Sequence, residues 1–267
     1  MITFAGHLRA CTRLLVLLVW LLLLTVSWLL PLAVGVFSRR AKAKLRVRQM
    51  AAWSRVSLRL MGVRVTREGP PPRAPFFLVS NHLSYLDVLA LWSQVDTYFL
   101  AKLELGSWPL LGPLIRAAGT LFVDRNRARG VLPAIEAVQR TLDLGCGVLV
   151  FPEGTSSSGA ALLPLRTNFF EVPVRSGYPV HVACLHYASG DPRHPSREHV
   201  AWWGDMGFPD HFYRLLSIRR IDARVRFAAE PVAGDDRKRL AADVAAAMEA
   251  IFEPLPDDGD PVVEGAA

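Results

Sequence analysis

Apolar positions fall into two regimes along the chain. Residues 14–36 are almost wholly apolar, broken by Thr25, Ser27 and Pro31, whereas beyond residue 75 short apolar runs alternate with amphipathic stretches. A run of roughly 20 apolar residues is long enough to cross the hydrocarbon core of a bilayer as a helix. It is too long, and lacks a small-residue cleavage site, for a removable signal peptide. Arg9 and Arg13 precede it, while Arg39, Arg40, Lys42, Lys44, Arg46 and Arg48 follow it. That asymmetry favours a transmembrane span with the C-terminal bulk in the cytoplasm. Arginines at both ends and Pro31 within also suit a segment that dips into one leaflet and returns. Residues 42–61 continue as a basic amphipathic helix, with Leu45, Trp53, Val56 and Leu60 near one face, a pattern suited to the membrane interface.

The run Gly69-Pro70-Pro71-Pro72-Arg73-Ala74-Pro75 cannot be helical and marks the start of a second unit. Strands are expected over 76–80, 97–101, 120–123, 148–151, 180–185 and 224–228. Helices are expected over 84–92, within 108–118, over 131–144, near 167–175 and over 235–252. The alternation predicts an α/β domain over residues 69–253, with a mixed, mostly parallel sheet flanked by helices. Residues 1–68 form the membrane-anchoring region before it. Residues 254–267, rich in Pro, Asp and Gly, are expected to be disordered.

Charge sharpens this picture. The net charge is +7, and it is lopsided: Arg39 to Arg67 holds ten Lys/Arg and no acid, whereas Glu253 to Ala267 holds five acids and no base. Basic charge beside a long apolar run points to anionic lipid head groups rather than nucleic acid, for which no module signature is present. The three cysteines lack metal-like spacing and read as small apolar residues. No GxGxxG, GxxxxGK[ST] or GxSxG occurs, which leaves dinucleotide, P-loop and serine-elbow chemistry unsupported. The histidines match no zinc pattern, so no metal is expected.

Two stretches carry candidate chemistry. Asn81-His82-Leu83-Ser84-Tyr85-Leu86-Asp87 follows a strand and opens a helix, with Ser84 as the expected N-cap. Ligands of open α/β sheets collect at such strand ends. Asp87 lies about one and a half helical turns after His82. A carboxylate on Nδ1 would fix the imidazole tautomer and leave Nε2 free to take a proton. The same residues also suit a plain helix start with an acid at the dipole. Phe151-Pro152-Glu153-Gly154-Thr155 is the second stretch. Its amides and the Thr155 hydroxyl suit an anion or a developing oxyanion. Arg125 and Lys102 stand at the ends of two further strands, where a cation could hold a phosphate or carboxylate.

On these residues the chain resembles the glycerolipid acyltransferase family typified by 1-acyl-sn-glycerol-3-phosphate acyltransferase. NHLSYLD is similar to its NHxxxxD signature, GTLFVDR to its Arg-bearing second motif, FPEGT to its third, and Gly177-Tyr178-Pro179-Val180 to its fourth. The resemblance covers roughly residues 76–185. It implies transfer of a fatty acyl group from a thioester on CoA or acyl carrier protein, a substrate and not a cofactor, to a lysolipid hydroxyl in phospholipid biosynthesis. Carried over by position, His82 is the general base and Asp87 its partner. Arg125 becomes an acceptor head-group ligand, and Glu153 with Gly154 acceptor-binding residues; Lys102 and Thr155 join them as substrate-binding candidates on their own placement at the strand ends. The implied place is a bacterial inner membrane, with the catalytic domain on the cytoplasmic side. Two departures stand out: the third motif commonly continues with Arg where this chain has Ser156, and the fourth often has a second proline where it has Val182. Trp202-Trp203-Gly204-Asp205-Met206 resembles a stretch in bacterial lyso-ornithine lipid O-acyltransferases, which makes that acceptor the alternative. A lipid hydrolase using water at the same dyad, or a silent lipid-binding protein, are the other readings.

Overall fold

A computed structural model describes residues 2–107, 111–123 and 131–256. Seven strands form one sheet: β1 (Val63–Glu68), β2 (Phe77–Ser80), β3 (Thr97–Lys102), β4 (Leu121–Val123), β5 (Gly147–Val150), β6 (Val180–Ser189) and β7 (Ile221–Phe227). Their spatial order is β1-β7-β6-β2-β5-β3-β4. Strands β2 to β6 run parallel, β7 runs antiparallel to β6, and β1 runs parallel to β7. The predicted mixed, mostly parallel α/β sheet is therefore the observed one. Around it lie α1 (Phe4–Ser27), α2 (Leu29–Phe37), α3 (Arg39–Met61), α4 (Leu86–Trp92), α5 (Leu111–Ala117) and α6 (Val131–Asp143). Then follow α7 (Glu171–Ser176), α8 (Ser196–His199), α9 (Phe208–Ser217) and α10 (Arg237–Glu249).

Central strands read as unbroken apolar runs because both of their faces are covered. Leu78 of β2 packs with Leu58 of α3, Leu91 of α4 and Leu216 of α9 on one face. Its neighbours Phe77 and Val79 pack with Val138 of α6, Val172 of α7 and Val244 of α10 on the other. β7 alternates instead, with Ile221, Ala223, Val225 and Phe227 buried and the residues between them partly exposed. β1, not expected from its sequence, is an edge strand whose Arg64, Arg67 and Glu68 disguise a short alternation. It is held in register by β7, and Glu68 pairs with Arg224 and Arg226. α9 was likewise not expected.

The N-terminal region is long and apolar enough to cross a membrane and is also fastened to the domain. The apolar stretch forms two helices that meet at Trp28, and α3 then returns alongside them. The first turns of α1 are bonded to the globular domain. Arg9 donates to the Ser217 carbonyl at 2.5 Å, and Arg13 donates to the Leu216, Ile218 and Arg219 carbonyls at 3.0, 2.6 and 3.0 Å. Further along, the Trp20 indole donates to the Ser57 hydroxyl at 3.1 Å, and Gln49 bonds Ser27. α1 is thus bonded to the protein from its first turns to its last. The outward face of the apolar segment presents Leu15, Leu18, Leu22, Val26, Leu29, Val36 and Phe37 to the surroundings.

α3 packs on the domain through a buried stripe of Ala43, Val47, Met50, Ala51, Ser54, Leu58 and Met61, while Leu45, Trp53, Val56 and Leu60, the face expected at the membrane interface, stay partly exposed. At the other terminus the chain stays packed past the expected boundary at 253. Leu255 is fully buried, and its amide donates to the Gly159 carbonyl at 2.9 Å. Residues 257–267 lie outside the described residues.

Candidate active site

β2 ends at Ser80, and the next side chain takes over its ladder. Asn81 donates through Nδ2 to the Leu185 carbonyl at 3.1 Å and accepts at Oδ1 from the Leu185 amide at 2.7 Å. This two-point clamp to β6 fixes where the chain leaves the sheet, and with it the position of His82.

α4 starts at Leu86, and its N-cap position is Tyr85, not Ser84. The Tyr85 side chain does not cap the helix; Asp87, in the helix's first turn, reaches back to the residues before it. Its Oδ2 accepts from the Leu83 and Ser84 amides at 2.6 and 2.9 Å and lies 2.7 Å from His82 Nδ1. Its Oδ1 accepts from the Tyr187 hydroxyl at 2.7 Å. Asp87 has no exposed side-chain surface, whereas the His82 side chain is 23% exposed. The helix-start reading and the dyad reading of this stretch are therefore both true of one carboxylate.

The two informative stretches meet. The His82 ring stacks on Phe151 with centroids 4.2 Å apart and planes 14° apart, and Phe151 lies 5.7 Å from Phe99. The Ser157 amide donates to the His82 carbonyl at 2.9 Å. Glu153, expected to contact the acceptor, turns inward instead: it is buried, and its Oε1 accepts from the His82 amide at 3.3 Å. Gly154 closes a turn with φ of 79°, a left-handed value that favours glycine, and its amide is spent on the Phe151 carbonyl at 3.1 Å. The amides of Thr155 and Ser156, next in line, donate to no backbone partner among the described residues, and both residues line the adjoining cavity.

That cavity, of about 470 Å³, has His82, Gly154, Thr155, Ser156 and Trp202 at its polar end. Trp202 is brought there by its amide, which donates to the Leu83 carbonyl at 2.8 Å. The remaining wall is mostly apolar: Leu21 and Leu24 of α1, Trp28 between α1 and α2, Met50 and Trp53 of α3, and Leu89 and Trp92 of α4. The cavity thus runs from the imidazole to the underside of the apolar N-terminal helix. Among its described lining residues there is no Lys or Arg. Lys102 closes β3, but its side chain lies outside what the structure describes, and Arg125 falls outside the described residues. Sequence reasoning missed Tyr187 and Asn81's clamp, both of which depend on contacts about 100 residues apart.

A histidine backed by a buried carboxylate and opening onto an apolar cavity has the geometry that proton abstraction from a lipid-soluble hydroxyl or water requires. A profile of the Acyltransferase family matches residues 62–185. The chain is 32% identical to the 1-acyl-sn-glycerol-3-phosphate acyltransferase of Neisseria meningitidis serogroup B over 202 residues, 75% of this chain and 77% of that protein. It is 32% identical to the lyso-ornithine lipid O-acyltransferase of Rhodobacter capsulatus over 204 residues, 73% of this chain and 72% of that protein. Its fold is similar to the crystal structure of the 1-acyl-sn-glycerophosphate (LPA) acyltransferase PlsC from Thermotoga maritima. The TM-score is 0.60 at 21% identity, covering 91% of this chain and 97% of that one. The chain belongs to the acyltransferase family.

Burial lifts the Glu153 carboxyl from its ordinary 4.5 to about 8, with the Asp87 charge adding to the rise and the His82 and Leu163 amides opposing it. Between those values the group is protonated in the fold and ionised in the unfolded chain. Its contribution to stability is therefore full below about 4.5 and is lost as pH rises towards about 8. Glu153→Gln removes this titration. Chemical denaturation of the variant across that window should show a smaller loss of stability with rising pH than the wild type. Equal slopes would contradict a neutral buried Glu153.

Proposed function

We propose that this enzyme moves a fatty acyl group from a thioester on CoA or acyl carrier protein to the free hydroxyl of 1-acyl-sn-glycerol-3-phosphate. The observation that carries the reading is the placement of His82, with Nδ1 held by Asp87 and the ring at the polar end of an apolar cavity. In this mechanism Nε2 takes the hydroxyl proton as the acceptor oxygen bonds the thioester carbonyl carbon. Asp87 stabilises the imidazolium that forms. The amides of Thr155 and Ser156 are the candidates to hold the oxyanion, since that of Gly154 is already bonded. Collapse of the tetrahedral intermediate breaks the C–S bond, and the imidazolium returns its proton to the leaving thiolate. Arg125 and Lys102 are proposed as the cationic contacts to the acceptor head group, with Gly154 and Thr155 beside the reacting carbonyl. Glu153 serves by holding the His82 backbone.

Lyso-ornithine lipid is the second acceptor to test. The observation in its favour is Ser156, a neutral wall residue where the family commonly has Arg. Purified protein given labelled acyl-CoA or acyl carrier protein with a panel of lysolipids should form a diacyl product, and His82→Ala should lower turnover by about 10²–10⁴-fold. Near-normal transfer by that variant refutes the base. Free fatty acid without diacyl product selects a hydrolase.

The apolar outer face of α1 and α2 is the proposed membrane-contacting surface, and the segment enters one leaflet without crossing. Support comes from α1's first turns, which are bonded to α9 and the connection to β7. A protease-cleavable tag at the N-terminus should be cut from the same side of sealed vesicles as the catalytic domain. Cleavage from the opposite side alone would restore the span.

A further inference from the structure

Tyr187 lies in the part of β6 that runs beyond the expected end at residue 185, and it is fully buried. Odd-numbered residues of this strand, Ala183, Leu185 and Tyr187, face the cluster that contains Leu86 and Leu91 of α4. That parity aims the phenol at α4's first turn. There it donates to Asp87 Oδ1 at 2.7 Å, the oxygen that His82 does not use. Every other bond to Asp87 comes from the neighbouring residues His82, Leu83 and Ser84 and goes to Oδ2, so Oδ1 has no second donor among the described residues. The phenol does not line the cavity.

We infer that Tyr187 is a positioning residue of the acyl-transfer reaction, tuning through Asp87 how strongly His82 holds a proton. The inference rests on the reading of His82 as general base. A hydrogen bond to a carboxylate draws charge away from it, so the bond from Tyr187 weakens the pull of Asp87 on the imidazolium. Burial, with the adjacent Asp87 charge, keeps the phenol well above its ordinary range and hence a permanent donor. The other titratable groups around the pair are Glu153 from the turn after β5, at the His82 amide, and Tyr85 at the start of α4. The Tyr85 hydroxyl is engaged 3.0 Å from His211 Nδ1. Neither contacts Oδ1, which leaves Tyr187 as the group whose removal acts on that oxygen.

Tyr187→Phe keeps the ring and deletes the donor. Left with Oδ1 unpaired, Asp87 holds the proton on the dyad more tightly, so the base is withheld until higher pH. The acid limb of kcat against pH should move upward, and kcat near neutrality should fall about tenfold, the scale of one hydrogen bond to a charged group. KM for both substrates should stay within about twofold, because the phenol touches neither. Replacing Tyr187 by 3-fluorotyrosine preserves packing and strengthens the donor, and should move the acid limb the other way. Opposed shifts with unchanged KM support the role. A wild-type profile for both proteins, or loss of folding with Phe and no shift with fluorotyrosine, overturns it. Absence of transfer to any lysolipid by the wild type would instead overturn the proposed function.

Discussion

A carboxylate with no exposed surface stands at the centre of this molecule. Removing such a charge from water costs several kcal/mol unless it is well compensated, and Asp87 meets that cost with four donors: two backbone amides, an imidazole and a phenol. Because an ionised carboxylate only accepts, the Nδ1 facing it must carry the proton. The ring is thereby fixed in the tautomer whose Nε2 lone pair is free. Phe151 packs flat against the imidazole and limits its rotation, while Asn81 sets the backbone from which it projects. Chemistry and local folding share the same contacts, so this loop has little freedom to drift from one without losing the other.

The second organising feature is the cavity's direction. Its polar end is built by loops at the carboxyl ends of β2 and β5, as expected of a parallel sheet, and its apolar end by helices before the domain, α1 and α3. A hydrocarbon chain and a polar reacting centre are therefore accommodated in one continuous space. The arginines of α1 matter here for an unexpected reason. Placed beside an apolar run, Arg9 and Arg13 look like topological signals, and they are also fasteners to the carbonyls at and just past the end of α9. A charge count along the sequence cannot distinguish these roles, since both need a cation at the same position.

Much of the fold was legible because its signals are local. The buried runs Phe77–Ser80 and Gly147–Val150 name their own strands, and the turn chemistry of NHLSYLD and FPEGT places them at strand ends. What escaped was decided at a distance. β1 exists because β7 offers it a ladder, and the face α3 turns to the domain mixes small residues such as Ala43 and Ser54 with Val47, Met50 and Leu58, a stripe that no simple hydrophobic pattern marks. Glu153 reads as a polar loop residue ready for ligand, but the turn at Gly154 directs it inward to the His82 amide. Tyr187 gave a faint signal: a polar-tipped aromatic continuing an apolar strand, on the parity that faces the helices.

The most direct test of this account is the protonation pattern of the His82 ring, read by nitrogen NMR on selectively labelled protein in a membrane mimetic. The arrangement of Asp87 and its donors predicts a neutral imidazole with the proton on Nδ1, in a strong hydrogen bond, and Nε2 bare. A ring that carries its proton on Nε2, or exchanges freely between the two tautomers, would mean that Asp87 does not hold the base and that the mechanism proposed for this enzyme is wrong.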